Sequence, residues 1–375
     1  MNHQTIIIGA GPAGLIAGRY LKDALILEAK SEIGKPVRCA EGISINALKF
    51  QNIVPDHEWI SATLKATDLI TPGGKIIERR KNKVKGYVID RTKFEQFLAK
   101  GCLCQIKLNT AVVDINYNGE NWDVKTINGE KLKCKYLIGA DGPTSIVARK
   151  VFNEKIKLCG TVEYLIKTEK EIPTERIEMY LGNQIARGGY AWIFPKSKHT
   201  ANIGIIGNDN FNKKFKSFLK NTVENKYGKC EILENRSGAI PSGGPLKTLV
   251  KNNALVIGDA GGFTDPLFKG GINQAMLSAK IAAECILSND ISSYEKKVRS
   301  FPFCDPDLLT IKNILYSFDD KTLNEIGNFF ENKDISNFKN PITLLKFFTN
   351  PKLARNSFKI IKFFSTWKKN SDWLW

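Results

Sequence analysis

The period of apolar and polar positions changes along the chain, and each change marks an element. "TIIIGAGPAGLIAGRYLKDALILEAK", residues 5–30, opens on the unbroken β-branched run Ile6–Ile8, the pattern of a buried parallel strand. A glycine turn, a helix and a second apolar strand, "ALILEA", follow. The pattern recurs in "YLIGADGPTSIVARK", residues 136–150, where an apolar strand precedes Asp141-Gly142 and a helix starts at Thr144 or Ser145. It recurs again in "NALVIGDAGGFTDPLFKGGINQAMLSAKIAAE", with Gly258-Asp259 after the strand and Gly270-Gly271 opening a long helix at Ile272. In "GGYAWIFP", residues 188–195, Tyr190, Trp192 and Phe194 alternate, so on a strand they share one face while Ala191 and Ile193 take the other. That aromatic wall fills a core or lines a pocket; the eight residues leave both open.

"KIIERRKNKVKGY", residues 75–87, reads as a hairpin with a solvated basic turn. In "SFKIIKFFSTWKK", residues 357–369, Lys359, Lys362, Thr366 and Lys369 fall on one helical stripe, and Ile360, Ile361, Phe364 and Trp367 occupy much of the other face. With Trp373 and Trp375 beyond, this is an interfacial helix on an anionic membrane surface or a helix packed on the protein's own core. Residues 296–340 are mixed in pattern, and no internal repeat is visible.

Composition narrows the class. The 375 residues suggest two to three structural units at roughly 150 residues each. Lys and Arg number 56 against 38 Asp and Glu, a formal +18 that favours anionic partners without choosing among them. The cysteines at 39, 102, 104, 134, 159, 230, 285 and 304 form no Cys-x-x-Cys, and only His3, His57 and His199 are present. Zinc-ligand spacing and a secreted disulfide framework are therefore not expected, and a reducing cytosol is. The apolar run Thr5–Gly18 lacks the basic flank of a signal peptide. No stretch reaches the roughly 18 to 20 apolar residues of a spanning helix.

The N-terminal unit carries chemistry. Gly9, Gly11 and Gly14 match G-x-G-x-x-G, with Ala13 inside the motif: tight turn, close pyrophosphate approach and close helix packing. Helix-start amides supply an anion site, and Glu28 at the end of the second strand suits a ribose hydroxyl. The unit fits NAD or FAD equally well.

The order G-x-G-x-x-G, Asp-Gly, Gly-Asp resembles the FAD enzymes shaped like para-hydroxybenzoate hydroxylase. The resemblance implies an α/β fold: a Rossmann-type FAD-binding domain, a β-sheet substrate domain and a helical C-terminal region. It divides the chain into FAD-binding segments 1–60, 101–155 and 246–295, a substrate-domain insertion with linking helix at 61–100, a substrate domain at 156–245 and a helical region at 296–375. It makes Asp259 the ligand of the FAD ribitol and sets the helix from Gly271 under the flavin pyrimidine, where a helix N-terminus stabilises the anion of reduced flavin. "YVIDRTKFEQFLA" resembles the family's segment in which Arg91 begins a helix after a strand, packed by Phe94 and Leu98, and the resemblance puts Arg91 and Asp141 among the cofactor-binding residues. No second dinucleotide fingerprint follows, which disfavours the disulfide-reductase type.

"EIGKPVRCAEGIS", residues 32–44, together with Tyr190, Trp192, Phe194, Pro195 and then Gly204, resembles the geranylgeranyl reductase family, nearest its archaeal ether-lipid branch. Ala40 stands where that loop usually has glycine, and the second glycine after the aromatic motif falls at Gly207. The resemblance implies reduction of isolated prenyl C=C bonds by hydride from flavin N5 plus a proton, on a prenyl lipid. It puts Cys39 beside the flavin, as proton donor or pocket shaper, with Tyr190 the second candidate. Tyr190, Trp192 and Phe194 would line the substrate. Arg38 would lower the thiol pKa or bind FAD phosphate, and Glu41 would orient water or the loop. Ferredoxin or NAD(P)H would supply electrons, nucleic acid would play no part, and the protein would be cytoplasmic, peripheral on the membrane face. An FAD monooxygenase or halogenase, and a flavin-bearing lipid-binding protein without turnover, are the rival readings.

Overall fold

The computed structural model describes residues 2–80, 83–207, 209–331 and 356–370. Two large sheets organise them. The first has eight strands, with Val250–Lys251, Ala254–Val256, Lys131–Gly139, Asn2–Ile8, Ala24–Leu27 and Gln105–Lys107 in spatial order. Its centre is parallel: Asn2–Ile8 pairs in that sense with both Ala24–Leu27 and Lys131–Gly139. Parallel strands need crossovers that bury both faces, which is why Ile6, Ile7, Leu25 and Ile26 are apolar without alternation.

The helix Pro12–Gly18 follows the first strand immediately. Here the glycines are dictated by contact: a Cβ on Gly14 would overlap the Gly9 carbonyl oxygen, and Gly9 itself has φ +103°. The helix lies against the long helix Ile272–Leu287, which the Gly270-Gly271 pair opens as expected.

The second sheet has seven strands, in the order Cys230–Pro241, Leu158–Thr168, Thr200–Ile206, Tyr190–Pro195, Arg176–Tyr180, Ala66–Ile70 and Ile76–Arg80. Strand Tyr190–Pro195 is near its middle and is buried throughout. Its two faces enter different cores. Tyr190, Trp192 and Phe194 join the apolar core that contains Ile6–Ile8 and Met276. Ala191 and Ile193 join a separate core with Phe215 and Phe218. Trp192 faces Gly204 across the antiparallel pair, and any side chain at 204 would occupy the space of the indole.

The sequence expectation fails at residues 75–87. Ile76–Arg80 turns back on Ala66–Ile70 within the seven-stranded sheet, whereas Gly86–Ile89 enters a three-stranded sheet with Gly42–Ser44 and Ile60–Leu64. Two strands close in sequence thus serve different sheets, because a period-two pattern reports a buried face and not the partner. Residues 81–82 of that segment lie outside the described residues.

The C-terminal helix Ser357–Asn370 turns its apolar face inward. Ile360, Phe363, Phe364 and Trp367 are buried at i, i+3, i+4 and i+7, and Thr366, placed on the basic stripe by sequence, is buried as well. Lys369 pairs with Asp305 at 2.9 Å. The core-packed alternative therefore describes this helix, while Trp373 and Trp375 lie outside the described residues. No helix among those described is long and apolar enough to cross a membrane.

Gly204→Ala should cost about 1–3 kcal/mol of stability by forcing the Trp192 indole out of place. Chemical denaturation measures this; an unchanged midpoint would contradict the packing described.

Candidate active site

The strand ends of the first sheet gather the predicted dinucleotide residues. Glu28 is buried, its Oε2 accepting from the Ala10 amide at 2.6 Å and its Oε1 from the Lys30 amide at 2.9 Å. These bonds fix the carboxylate beside the Gly9–Gly14 turn. Open space lies over Gly11, where a Cβ would meet nothing within 4 Å. A Cβ on Gly258 would approach the Ala13 methyl at 3.0 Å, so the G-x-G-x-x-G helix and the Gly258-Asp259 turn are neighbours.

Asp141 has a different local task. Its carboxylate accepts from Ser145 Oγ and the Ile146 amide, both at 2.6 Å, and so starts the helix Ile146–Lys150. Asp259 accepts from Thr264 Oγ1 at 3.1 Å and lies over the backbone of Gly271, where the long helix begins. Burial pushes its pKa up, and Arg91 opposes that. Arg91 starts the helix Arg91–Lys100, capped by Asp90, and its guanidinium pairs with Glu95 at 2.6 Å. Its charge acts on both Asp259 and Cys39. Asp259, Arg91 and Cys39 therefore share one electrostatic neighbourhood.

Arg38, by contrast, is exposed, with its stem near Gly238 of the second sheet. The cation acting on the Cys39 thiol is Arg91 rather than Arg38. Burial outweighs it and pushes the thiol pKa up, so Cys39 is held as a thiol and not as a thiolate. Its sulfur accepts from the Glu41 amide at 3.2 Å, which leaves its own proton free to be donated.

The aromatic wall closes against this neighbourhood. The Tyr190 hydroxyl donates to the Phe268 carbonyl, and the two rings meet edge-on at 6.2 Å. Tyr190 and Trp192 are 5.8 Å apart, and Phe268 touches Trp367 of the C-terminal helix at 6.5 Å. Phe268 belongs to the loop between Asp259 and Gly271, so the wall reaches the start of the long helix. Burial raises the Tyr190 pKa well above its ordinary value, and that hydroxyl is already engaged. Phe194, at the far end of the face, is buried too.

Sequence reasoning named Gly270 but missed the loop before it, Asp265–Lys269. Its carbonyls are held by three donors: Lys269 Nζ on Pro266, Tyr316 on Leu267 and Tyr190 on Phe268. Asp265 is fully buried, and burial pushes it up to about 6, while burial and Lys312 push Lys269 down to about 8. The Asp-Pro pair in "TDPLFKGG" was a visible turn signal. Also missed was a buried charge network of Glu41, Glu163, Lys196, Asn202 and Arg236, whose members are distant in sequence. A pocket lined by Leu181, Asn183, Gly189, Tyr316 and Phe318 opens beside the start of the aromatic strand.

Several buried polar atoms have no protein partner. The Trp192 indole N–H and both amide atoms of the buried Gln274, in the first turn of the long helix, are unpaired among the described residues. Together with the open space at Gly11 and the fixed Glu28, they fit a flavin carried on a dinucleotide.

The same architecture recurs in solved structures of flavoenzymes. A flavin-dependent brominase, Bmp2, matches with a TM-score of 0.67 at 18% identity, covering 98% of this chain and 94% of its own. A geranylgeranyl bacteriochlorophyll reductase-like protein from Thermoplasma acidophilum matches with a TM-score of 0.80 at 24% identity, covering 95% and 98%. These likenesses define the class: an α/β flavoenzyme fold like that of para-hydroxybenzoate hydroxylase, with a helical C-terminal region. Residues 158–240 match the geranylgeranyl reductase catalytic domain. The digeranylgeranylglycerophospholipid reductase of Methanosarcina acetivorans is 33% identical over 364 residues, 87% of this chain and 88% of that protein. Its counterpart in Methanocella arvoryzae is 32% identical, covering 89% and 93%. This chain belongs to the geranylgeranyl reductase family, and it is an oxidoreductase.

The charge network predicts a pH dependence. Burial pushes Glu163 from its ordinary 4.5 up to about 7, opposed by Arg236. The folded state therefore binds a proton that the unfolded chain has released, and stability falls as pH rises through that interval. Relative to Glu163→Gln, the wild type should lose on the order of 3 kcal/mol between about pH 4.5 and pH 7. Denaturation of both proteins across pH checks this, and a pH-independent difference would contradict it.

Proposed function

We propose that this protein saturates isolated C=C bonds in the geranylgeranyl chains of archaeal-type ether-lipid precursors, using FAD. The observation that carries the reading is the aromatic face of Tyr190–Pro195, which turns away from its own sheet's core and toward the loop between Asp259 and Gly271. The relatives named above are reductases of digeranylgeranylglycerophospholipids, which supports the substrate class.

In this reading the first sheet carries the cofactor and the seven-stranded sheet the substrate. Gly9, Gly11, Ala13 and Gly14 receive the pyrophosphate, Glu28 the adenosine ribose and Asp259 the ribitol. Gly270, Gly271 and Ile272 present the helix start to the ring, and Asp141 shapes its turn. Arg91 places its charge near both Asp259 and Cys39. Arg38 is left for phosphate. When bound and reduced, the flavin supplies a hydride from N5.

The chain's own residues must do the rest. An isolated alkene has no oxygen to polarise, so an oxyanion site contributes nothing, and positioning and proton supply in a dry site carry the rate. Tyr190, Trp192 and Phe194 hold the prenyl chain, whose burial is worth roughly 0.8 kcal/mol per CH₂. Cys39, kept protonated, holds the proton that completes the reduction. Tyr190 is the weaker candidate, since its hydroxyl is bound to Phe268 and burial holds its proton. Ferredoxin or NAD(P)H delivers the electrons, and the +18 surface suits an acidic carrier.

Chemically reduced enzyme mixed anaerobically with a geranylgeranyl lipid should reoxidise, and the product should gain two hydrogens per saturated bond. Cys39→Ala should slow this reoxidation by about 10²-fold or more, and Tyr190→Phe by only a few-fold, read by stopped-flow absorbance. Flavin that stays reduced without product would overturn the reductase reading. Equal rates for Cys39→Ala and wild type would remove the thiol from the chemistry.

A further inference from the structure

Glu41 occupies an unusual position in the loop that carries Cys39. It is 2% exposed, and its backbone has φ +69°, a left-handed conformation that a residue with a long side chain rarely adopts. Gly42 is its immediate neighbour, so the strained conformation falls on the residue with the side chain and not on the glycine. Such strain persists only where surrounding contacts over-determine it.

Those contacts come from both halves of the molecule. From the cofactor side, the Arg91 amide donates to Glu41 Oε1 at 2.8 Å, and the Ile89 amide donates to the Glu41 carbonyl at 2.9 Å. From the seven-stranded sheet, Lys196 Nζ and Asn202 Nδ2 donate to Oε2 at 2.8 and 2.6 Å. Arg236 stands 3.7 Å from the same oxygen and bonds Glu163 and Asn202 behind it. Lys196 also donates to the Ile89 carbonyl at 2.7 Å, and Asn202 to the Ala40 carbonyl at 3.3 Å. A carboxylate buried this deeply is tolerable only because its oxygens are met by several donors and two cations.

The remaining polar group of Glu41 is its amide, and it points at the Cys39 sulfur, 3.2 Å away. One residue thus joins the loop to the helix start at Arg91, to the substrate sheet and to the thiol. We infer that Glu41 is the positioning residue of this site, fixing the Cys39 thiol by tying its loop to both halves of the molecule. The Glu41 carboxylate also acts on the sulfur: with it removed, Arg91 acts on the thiol less opposed. The inference rests on Cys39 belonging to the active site, but its test needs neither lipid nor turnover. Its failure would leave the reductase reading standing.

The test is alkylation of flavin-loaded, full-length protein with iodoacetamide, resolved cysteine by cysteine by peptide mass spectrometry across pH. Wild type, Glu41→Gln and Asn202→Ala are compared, with the buried Cys134 as internal reference. In Glu41→Gln, Cys39 should react about tenfold faster near neutral pH, with its pH midpoint shifted down by about one unit, and Cys134 should be unchanged. Asn202→Ala keeps the carboxylate and loosens the loop, so Cys39 should react faster with its midpoint in place. An unaltered Cys39 rate and midpoint in Glu41→Gln would overturn the inference. So would equal acceleration of Cys39 and Cys134, which would make Glu41 a support of the whole fold. If Glu41→Gln does not accumulate as folded protein, Asn202→Ala decides: acceleration confined to Cys39 supports the inference, and any other pattern overturns it.

Discussion

Side chains on a strand alternate between two faces, and in Tyr190–Pro195 each face is committed to a different core. The aliphatic residues Ala191 and Ile193 pack with Phe215 and Phe218, and this holds the strand inside its sheet. The aromatic residues are thereby forced outward against the cofactor half, where Tyr190 ties the Phe268 carbonyl and Trp192 lies over Gly204. The register cannot slip by one residue without exchanging the two cores. Strand Thr200–Ile206, the Asp265–Gly270 loop and the C-terminal helix all take their places from this constraint, the last through the contact of Trp367 with Phe268.

Electrostatics complete what the packing begins. Buried carboxylates and cations cluster where the two halves meet: Lys196 pairs with Glu41 and Arg236 with Glu163 across elements, while Arg91 pairs with Glu95 within its own helix. Cys39 therefore lies among Arg91, Glu41 and Glu163, in surroundings that keep a thiol protonated. An acid that donates to carbon after hydride transfer needs such surroundings, whereas a nucleophilic cysteine needs the opposite.

Much of this was legible from the chain because it is local. The glycine triplet, Glu28, the Asp141 and Gly258-Asp259 turns and the Gly271 helix start depend on neighbours a few residues apart, and the structure forms each element as read. The aromatic alternation was equally legible, but its destination was not, since the face that meets Phe268 is chosen by a loop some 78 residues away. The network around Glu41 draws on positions 91, 196, 202 and 236, which no single-sequence period connects. For the same reason residues 75–87 were misread as a hairpin, and of the two roles open to Arg38, adjacent in sequence, the one at the Cys39 thiol falls to Arg91. The C-terminal helix shows a subtler failure: its stripe was drawn without Phe363 and with Thr366 on the wet side, so its inward face looked narrower than it is.

The central claim is that the face of Tyr190, Trp192 and Phe194 holds the prenyl chain. Photocrosslinking tests it most directly, with a geranylgeranyl phospholipid bearing a diazirine near a reducible double bond, bound to the flavin-loaded protein and mapped by mass spectrometry. The account predicts adducts on Tyr190, Trp192 or Phe194 and on the loop around Cys39, with none on Ala191 or Ile193. Adducts confined to other surfaces, with that face unlabelled, would contradict it.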